Sequence, residues 1–293
     1  MKLSTTVNFF IYEDDGSYEA YKEDLRHYAA VGYQALDAIF CQADAAGSPL
    51  RTAKWMDWAK TVKEEADRLG ITFVQTHLPF YNFCDPITGI QADTEEILEK
   101  AIVCTKILGA KWTVAHPGTD YGSSLMEASR RKNLEYFSKR LELAEKHDVG
   151  ICIENMADFP GQGFKRNYGG AVEPLCELVD TLSEKFGNAG VCWDFGHANL
   201  MYPDQAACLR YVGGRLKVTH VHDNNGTYDE HRPPYMGTVN WEAVLPVLKE
   251  IGYEGDFSFE VRRMGPQVPR WVSDSLWAHL LNVGKHLMAL TGL

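Results

Sequence analysis

The sequence lacks most of the features that mark a secreted, membrane-bound or thiolate-metal protein. Its seven cysteines are scattered, odd in number and include no Cys-x-x-Cys pair, which argues against a disulfide framework and a thiolate zinc site. No apolar run reaches the roughly 18 residues of a transmembrane helix. The first residues also lack a basic region followed by an apolar stretch. We therefore expect no membrane association and a cytoplasmic location.

Two further absences narrow the class of ligand and of fold. The chain has no dense run of Lys or Arg, and its net charge is −11. A protein that binds nucleic acid mainly through the phosphates is therefore not favoured. Residues 10–16, which follow the first strand-like run, lack the glycine spacing of a phosphate-binding loop. This absence argues against a doubly wound open sheet and against a phosphorylated ligand.

The sequence instead alternates short β-rich runs with longer segments of helical periodicity. The strand-like runs cover residues 3–10, 33–40, 72–79, 111–118, 149–156, 189–195, 216–222 and 256–262. The clearest helical segments are 89–108, 123–147 and 270–290. A glycine, expected in the left-handed conformation that ends a helix, stands before several strands, at Gly32, Gly70, Gly109, Gly150 and Gly252. Eight such units predict an α/β protein with a single (β/α)₈ TIM barrel over residues 1–293.

Six of the eight strand-like runs end in side chains that can ionise or bind a metal. These are His77, His116, Glu154, Asp194 with His197, His220 with His222, and Glu260. Active sites of (β/α)₈ barrels lie at the C-terminal ends of the strands, so we expect these side chains to converge there. Several buried carboxylates at one barrel mouth repel one another, and a divalent cation is the favoured partner. The alternative is an ion-pair network with Arg262 and Arg263, just beyond the last strand.

Several of these motifs resemble those of the xylose-isomerase-like barrels. They are Ile153-Glu154-Asn155, Asp194 with His197, Thr219-His220-Val221-His222 and Phe259-Glu260. That superfamily includes sugar and sugar-phosphate isomerases and epimerases, and also endonuclease IV. The resemblance implies that Glu154, Asp194, His222 and Glu260 bind one divalent metal, with His220 one layer below. The implied substrate-binding residues are His197, His77, His116, His231 and Arg262.

The chain departs from the sugar epimerases of that superfamily at two positions. Tyr228 stands where they carry an Arg that binds substrate, and Pro160 stands where they carry an additional Glu. These departures put the epimerases' own substrate specificity in doubt for this chain.

The resemblance implies a metal-dependent sugar isomerase or epimerase, and its chemistry suits the residues. The metal polarises a substrate carbonyl and stabilises an enediolate, while Glu154 and Glu260 remove and return the proton. A carboxylate-rich site with one His favours Mn²⁺ or Mg²⁺, although Zn²⁺ or Co²⁺ is compatible. Isomerisation and epimerisation stay open, as does lyase chemistry, for which residues 80–83 (Phe-Tyr-Asn-Phe) could stack on a sugar ring. Homo-oligomer formation is also left open.

The alternative function is cleavage of abasic DNA by an endonuclease IV-like metal centre. His77 and His116 would hold a second ion with Glu154, and His197, Asp229 and His231 would hold a third. The loop from His222 to Asp229 is shorter than in that enzyme, and the acidic net charge opposes binding to a phosphate backbone. A small sugar-like molecule is therefore favoured over nucleic acid as the partner.

Overall fold

The computed structural model describes residues 1–9, 20–79, 81–85, 88–122, 125–158, 166–261 and 269–293. It contains eight parallel strands, one in each predicted strand-like run. They are β1 Leu3–Val7, β2 Ala35–Ile39, β3 Thr72–His77, β4 Trp112–Ala115, β5 Gly150–Glu154, β6 Ala189–Asp194, β7 Leu216–His220 and β8 Phe257–Phe259. The observed strands are shorter than the predicted runs, and most of the difference lies at the C-terminal ends of the runs.

The strands follow one another in chain order around a closed barrel. Each strand pairs with the next, and β8 pairs with β1 through Leu3 and Phe257. The two end strands of this order, β7 and β8, meet just beyond the end of β7, where the Val221 amide donates to the Ser258 carbonyl at 2.8 Å. The fold is therefore the single (β/α)₈ TIM barrel that the alternation of patterns predicts.

Helices cover the outside of the barrel. They are α1 Ala20–Val31, α2 Trp55–Arg68, α3 Thr88–Leu108, α4 Leu125–Lys146, α5 Val172–Ser183, α6 Phe195–Met201, α7 Gln205–Val212, α8 Trp241–Val244, α9 Pro246–Glu250 and α10 Arg270–Thr291. Helix α10 packs so closely on β1 and β8 that a β-carbon at Gly284 would overlap Leu3 and Phe259. In the part of the chain that the structure describes, no helix combines the length and hydropathy that a bilayer crossing requires.

The predicted role of glycine after the helices is confirmed at four of its five positions. Gly32, Gly70, Gly109 and Gly252 have positive φ, but Gly150 does not, so the prediction was wrong there. Asp148 takes the left-handed conformation after α4, with φ of 52°. Gly150 is instead the first residue of β5, where a β-carbon would overlap the ring of Trp112.

The barrel interior differs from one side to the other. Val114, Cys152, Cys192 and Val218 form a small apolar cluster inside β4 to β7. On the opposite side the buried interior residues are polar: Ser4, Asp37, Gln75 and Ser258. The ionisable side chains at the strand ends therefore rest on a floor that is apolar under β5 and β6 and polar under β1, β2, β3 and β8.

Candidate metal centre and cavity

Four buried side chains converge where strands β5 to β8 end. Glu154, Asp194 and His220 are the last residues of β5, β6 and β7, and Glu260 follows β8 directly. One ligand atom from each of these four lies within 4.8 Å of all the others. We call Glu154, Asp194, His220 and Glu260 the inner site. Their convergence follows from the barrel, because the C-terminal ends of all its strands meet at one mouth.

The histidine of the inner site is His220. Its Nδ1 lies 3.1 Å from Glu154 Oε1 and 3.2 Å from Glu260 Oε2. Its Nε2 faces the opposite way and lies 3.3 Å from Asp37 Oδ2. The histidine expected as a metal ligand from the resemblance, His222, sits further out.

His222 contacts the inner site through Asp194, whose Oδ2 lies 3.0 Å from His222 Nε2. Its ligand atoms group with those of Asp229 and His231. The ring of His222 also packs on Gly196, where a β-carbon would overlap it. The glycine in the segment Asp194-Phe195-Gly196-His197 thus makes room for the ring of this outer histidine.

Two further histidines contact Glu154 from the side of β3 and β4. His77 ends β3 and His116 follows β4, and their Nε2 atoms lie 3.2 Å apart. These nitrogens lie 3.3 Å and 3.0 Å from Glu154 Oε2. His77 Nδ1 is 2.7 Å from the carbonyl oxygen of Leu78. Since a carbonyl can only accept, Nδ1 carries a proton and Nε2 is the nitrogen presented to the site.

A second group of polar side chains lies on the outer side of the inner site. We call His197, His222, Asp229 and His231 the outer cluster. Asp229 Oδ2 lies 2.9 Å from His231 Nε2 and 3.5 Å from His197 Nε2. The Nδ1 atoms of the same two histidines donate to the carbonyl oxygens of Glu260 and Asn155, at 2.8 Å and 2.9 Å. Both rings are therefore fixed with Nε2 towards Asp229.

Burial and neighbouring charges shift the pKa values of these groups in opposite directions. Burial opposes ionisation of Glu154, but His220 and His116 outweigh it and hold the pKa of Glu154 well below its usual range. Burial likewise disfavours the charged form of His220, yet Cys192, Glu260 and Glu154 raise its pKa well above the usual value. For His116 the burial effect prevails, and its pKa is lowered. Glu154 is therefore ionised and lies beside histidines of differing basicity.

The inner site has the composition of a site for a divalent cation. Three buried carboxylates surround one imidazole, so negative charge remains in excess even when that imidazole is protonated. Oxygen donors with a single nitrogen suit Mn²⁺ or Mg²⁺, and Zn²⁺ also accepts this set. The donor atoms are already within 4.8 Å of one another, so the residues fit a metal ion without rearrangement of the strands.

A cavity of about 440 Å³ opens beside Glu154 and Glu260, within the size range of small-molecule sites. Its described lining residues are Cys41, His77, Tyr81, Asn82, His116, Pro117, Thr119, Tyr121, Glu154, Met156, Asn167, His197, Asp229, His231 and Glu260. Among these described residues there is no Lys or Arg. The cavity combines two tyrosine rings with amide, hydroxyl and imidazole groups, which suits an uncharged polar ligand.

The aromatic stretch after β3, residues 80–83, contributes side chains both to the cavity and to the core. Tyr81 and Asn82 line the cavity, whereas Phe83 stacks on Tyr136 with ring centroids 3.6 Å apart. Asn82 is fixed by two hydrogen bonds with the backbone of Thr119, at 2.8 Å and 2.9 Å. Phe80, the first residue of the stretch, lies outside the described residues. The stretch is therefore partly a packed loop and partly a wall of the cavity.

The structure brings together nearly all of the site residues expected from the sequence. His77, His116, His197 and His231 all line the cavity with Glu154 and Glu260. Arg262, expected to bind substrate, lies outside the described residues, as do Arg263 and the segment 159–165 that contains Pro160.

Sequence reasoning missed one buried carboxylate and several loop residues. Asp37 in β2 lies beneath His220, and a signal for it existed. It is a lone acid in the apolar run Ala35-Leu36-Asp37-Ala38-Ile39, just as Glu154 ends an apolar run. The cavity residues Asn82, Tyr121 and Asn167 come from loops and follow no periodic pattern.

Residues 25–279 match the family described as xylose isomerase-like TIM barrel, and the chain belongs to that family. An uncharacterized protein of Methanocaldococcus jannaschii is 32% identical over 211 residues, covering 69% of this chain and 68% of the relative. The L-ribulose 3-epimerase of Mesorhizobium japonicum is 23% identical over 217 residues, covering 70% of this chain and 68% of the epimerase. The solved structure of a D-tagatose 3-epimerase-like protein has a TM-score of 0.75 and 25% identity, with all of both chains covered.

Relatives of a second kind also match. A protein of Geobacillus sp. named "probable endonuclease 4" is 29% identical over 187 residues, covering 55% of this chain and 59% of the relative. The relatives thus include both proteins named as sugar epimerases and proteins named as endonucleases, and the two kinds differ in the chemistry that their names describe.

Proposed function

We propose that this protein is a divalent-metal-dependent isomerase or epimerase of a sugar or sugar derivative. The observation that carries the proposal is the inner site, where three buried carboxylates and His220 converge, with Glu154 and Glu260 also lining a cavity of about 440 Å³. The match to sugar epimerases over most of the chain supports the same reaction class.

Glu154, Asp194, His220 and Glu260 are the proposed metal ligands. This set keeps the three carboxylates expected from the resemblance and takes His220 in place of His222, because His220 Nδ1 lies 3.1 Å from a Glu154 oxygen. A divalent cation bound there supplies Lewis-acid polarisation of a substrate carbonyl. Mn²⁺ and Mg²⁺ are the favoured ions, and Zn²⁺ and Co²⁺ are compatible with the donors.

Glu154 and Glu260 are the proposed acid–base pair. They leave β5 and β8, which are three strands apart around the barrel, so they reach the cavity from different sides. Asp194 and His220 leave the strands between them and can hold the cation without contacting the reacting carbon. One glutamate would remove the proton next to the carbonyl and the other would deliver a proton.

The histidines around the cavity are proposed to orient the substrate. His77 and His116 face it from β3 and β4, and His197 and His231 face it beside Asp229. Their Nε2 atoms can accept hydrogen bonds from hydroxyl groups, or donate them when protonated. Tyr81 and Tyr121 provide ring faces in the same cavity. A polyhydroxylated substrate without a formal charge fits this lining best.

The test is metal content together with uptake of solvent deuterium by a panel of ketoses and cyclic keto-polyols. We expect one bound divalent ion per chain, and metal-dependent exchange of a carbon-bound proton with at least one member of the panel. A protein that binds no divalent ion, or one that binds it and exchanges no proton from any member, would contradict the proposal. Dehydration of a substrate in the same assay would identify the lyase variant of this chemistry.

A second candidate function is cleavage of abasic DNA, and one observation favours it. Beyond the inner site, ligand atoms converge in further groups, among them His77 with His116 and Glu154, and His222 with Asp229 and His231. Three bound metal ions per chain together with incision of an abasic duplex would support the nuclease function. The absence of Lys and Arg from the described cavity lining favours the sugar.

A further inference from the structure

Asp37 lies inside the barrel, below the inner site, and is fully buried. Its Oδ2 accepts hydrogen bonds from Gln75 Nε2 at 2.8 Å and from Ser258 Oγ at 3.2 Å. The same oxygen lies 3.3 Å from His220 Nε2. One carboxylate oxygen in β2 thus faces three possible donors: the amide of Gln75 in β3, the imidazole of His220 in β7 and the hydroxyl of Ser258 in β8.

The position of Asp37 determines which nitrogen of His220 keeps its proton when a cation is bound. A carboxylate oxygen can only accept, so each nitrogen that faces one carries a proton: Nε2 towards Asp37, and Nδ1 towards Glu154 Oε1 at 3.1 Å in the absence of a cation. The 3.3 Å contact is not aligned as a formed hydrogen bond, and Nε2 has no other partner among the described residues. A cation in the inner site would take the place of the Nδ1 proton, and the proton on Nε2, which faces Asp37, would remain.

The partners of Asp37 also explain why this residue is an acid. An asparagine could offer one acceptor oxygen, but its NH₂ group would stand where Asp37 Oδ1 stands, in a buried place without a hydrogen-bond partner. The carboxylate charge further strengthens the contact with the proton on His220. A carboxylate buried in an apolar barrel is costly unless it is paired, and His220 is the ionisable side chain that pairs with it.

We propose that Asp37 is a positioning residue that fixes the ring of His220, with Nε2 protonated and Nδ1 directed into the inner site. Asp37 does not contact the cation or the substrate; it acts through the imidazole. The proposal rests on the metal ligands proposed above and is independent of which substrate the cavity binds.

The first test is the metal affinity of the purified protein, measured by calorimetric titration of Mn²⁺ and of Zn²⁺ into the metal-free chain. Asp37→Asn should weaken the binding of both ions by roughly 10–100-fold, which is the usual cost of losing a group that orients a metal-binding histidine. Asp223→Asn is the matched control. Asp223 is equally buried, but its described partners are backbone amides and the indole of Trp241, so metal affinity should stay unchanged.

His220→Gln separates failure of this proposal from failure of the metal site. If His220→Gln loses metal affinity and Asp37→Asn keeps it, Asp37 has no positioning role and the proposed ligands stand. If His220→Gln binds both ions as tightly as the wild type, the proposed ligand set is wrong, whatever Asp37→Asn does.

A spectroscopic measurement decides the matter even if Asp37→Asn does not fold. In the Zn²⁺-loaded wild type with ¹⁵N-labelled histidine, His220 should show a slowly exchanging Nε2 proton and an Nδ1 without a proton. In folded Asp37→Asn this proton should move upfield and exchange faster. An Nδ1-protonated His220 in the loaded wild type would overturn the proposal.

Discussion

The inner site and the outer cluster lie side by side and are joined by the contact between Asp194 and His222. Carboxylates outnumber histidines in the inner site, whereas histidines outnumber carboxylates in the outer cluster. The inner site has three carboxylates and one histidine, all buried. The outer cluster has one carboxylate, Asp229, among three histidines, and the side chain of Asp229 is 18% exposed. Similar residue types at one barrel mouth therefore make two different environments.

The difference in charge balance favours a metal ion in the inner site over one in the outer cluster. One proton on one imidazole of the outer cluster balances Asp229, whose pKa is lowered by hydrogen bonds from His197 and His231 despite its burial. In the inner site a protonated His220 leaves two of the three carboxylate charges unbalanced. A proton on His77 or on His116 would each reduce that excess by one charge. Of the two groups, the inner site is therefore the one whose charge favours a divalent cation.

The largest expected effect comes from the two glutamates of the inner site. Glu154→Gln and Glu260→Gln each keep the shape of the side chain and one oxygen donor but remove the base. We expect kcat to fall by about 10²–10⁴-fold while KM changes little, as measured by steady-state kinetics on whichever substrate the deuterium panel identifies. Metal content of each variant is the control. Wild-type turnover in both variants at full metal occupancy would exclude the mechanism.

The second expected effect distinguishes His220, the last residue of β7, from His222. His220→Gln should weaken Mn²⁺ binding by at least the roughly 10–100-fold that is typical for loss of a group supporting a ligand, because His220 itself is the proposed ligand. His222→Gln should weaken it much less, since the described contact of His222 with the inner site is the one to Asp194. Calorimetric titration of both variants measures the contrast. Equal affinities, or a larger loss for His222→Gln, would assign the ligand to His222.

This contrast marks the limit of what the sequence predicts. The fold follows from eight strand-like runs, and the strand ends identify His77, His116, Glu154, Asp194 and Glu260 as neighbours. Alternation cannot choose between His220 and His222, because both share the inward direction of Val218. Depth along the barrel axis decides, and it depends on strand register. Asp194 pairs with His220 after a register shift between Val191 and Cys192, which no residue pattern reveals.

The third effect tests whether the outer cluster holds an ion. Asp229→Asn should leave one metal ion per chain and raise KM roughly tenfold. A charge-assisted hydrogen bond is worth about 1.5–3 kcal/mol, and only part of its loss would reach the substrate through His197 and His231. Elemental analysis and steady-state kinetics on the same preparation provide the measurement. A fall from three bound ions to two would instead show that this cluster binds metal.

The smallest effect is the pH dependence of thermal stability, and it has opposite signs with and without metal. Despite burial, neighbouring carboxylates raise the pKa of His197 and of His220 above the ordinary value of 6.5. A raised pKa contributes stability that is complete below 6.5 and is lost as pH rises through the higher folded value. The Tm of metal-free protein should therefore decline by a few degrees, in order of magnitude, as pH rises above about 6.5.

Metal binding reverses this slope because His220 must lose its Nδ1 proton to the solvent before the nitrogen can bind a cation. The rise in Tm on addition of Mn²⁺ should accordingly grow with pH over the same range. Asp194→Ala, which removes one proposed ligand, should follow the metal-free curve with or without Mn²⁺. A metal-free Tm that increases above pH 6.5 would show that the histidines of this centre are neutral in the folded protein. The charge balance drawn between the inner site and the outer cluster would then be wrong.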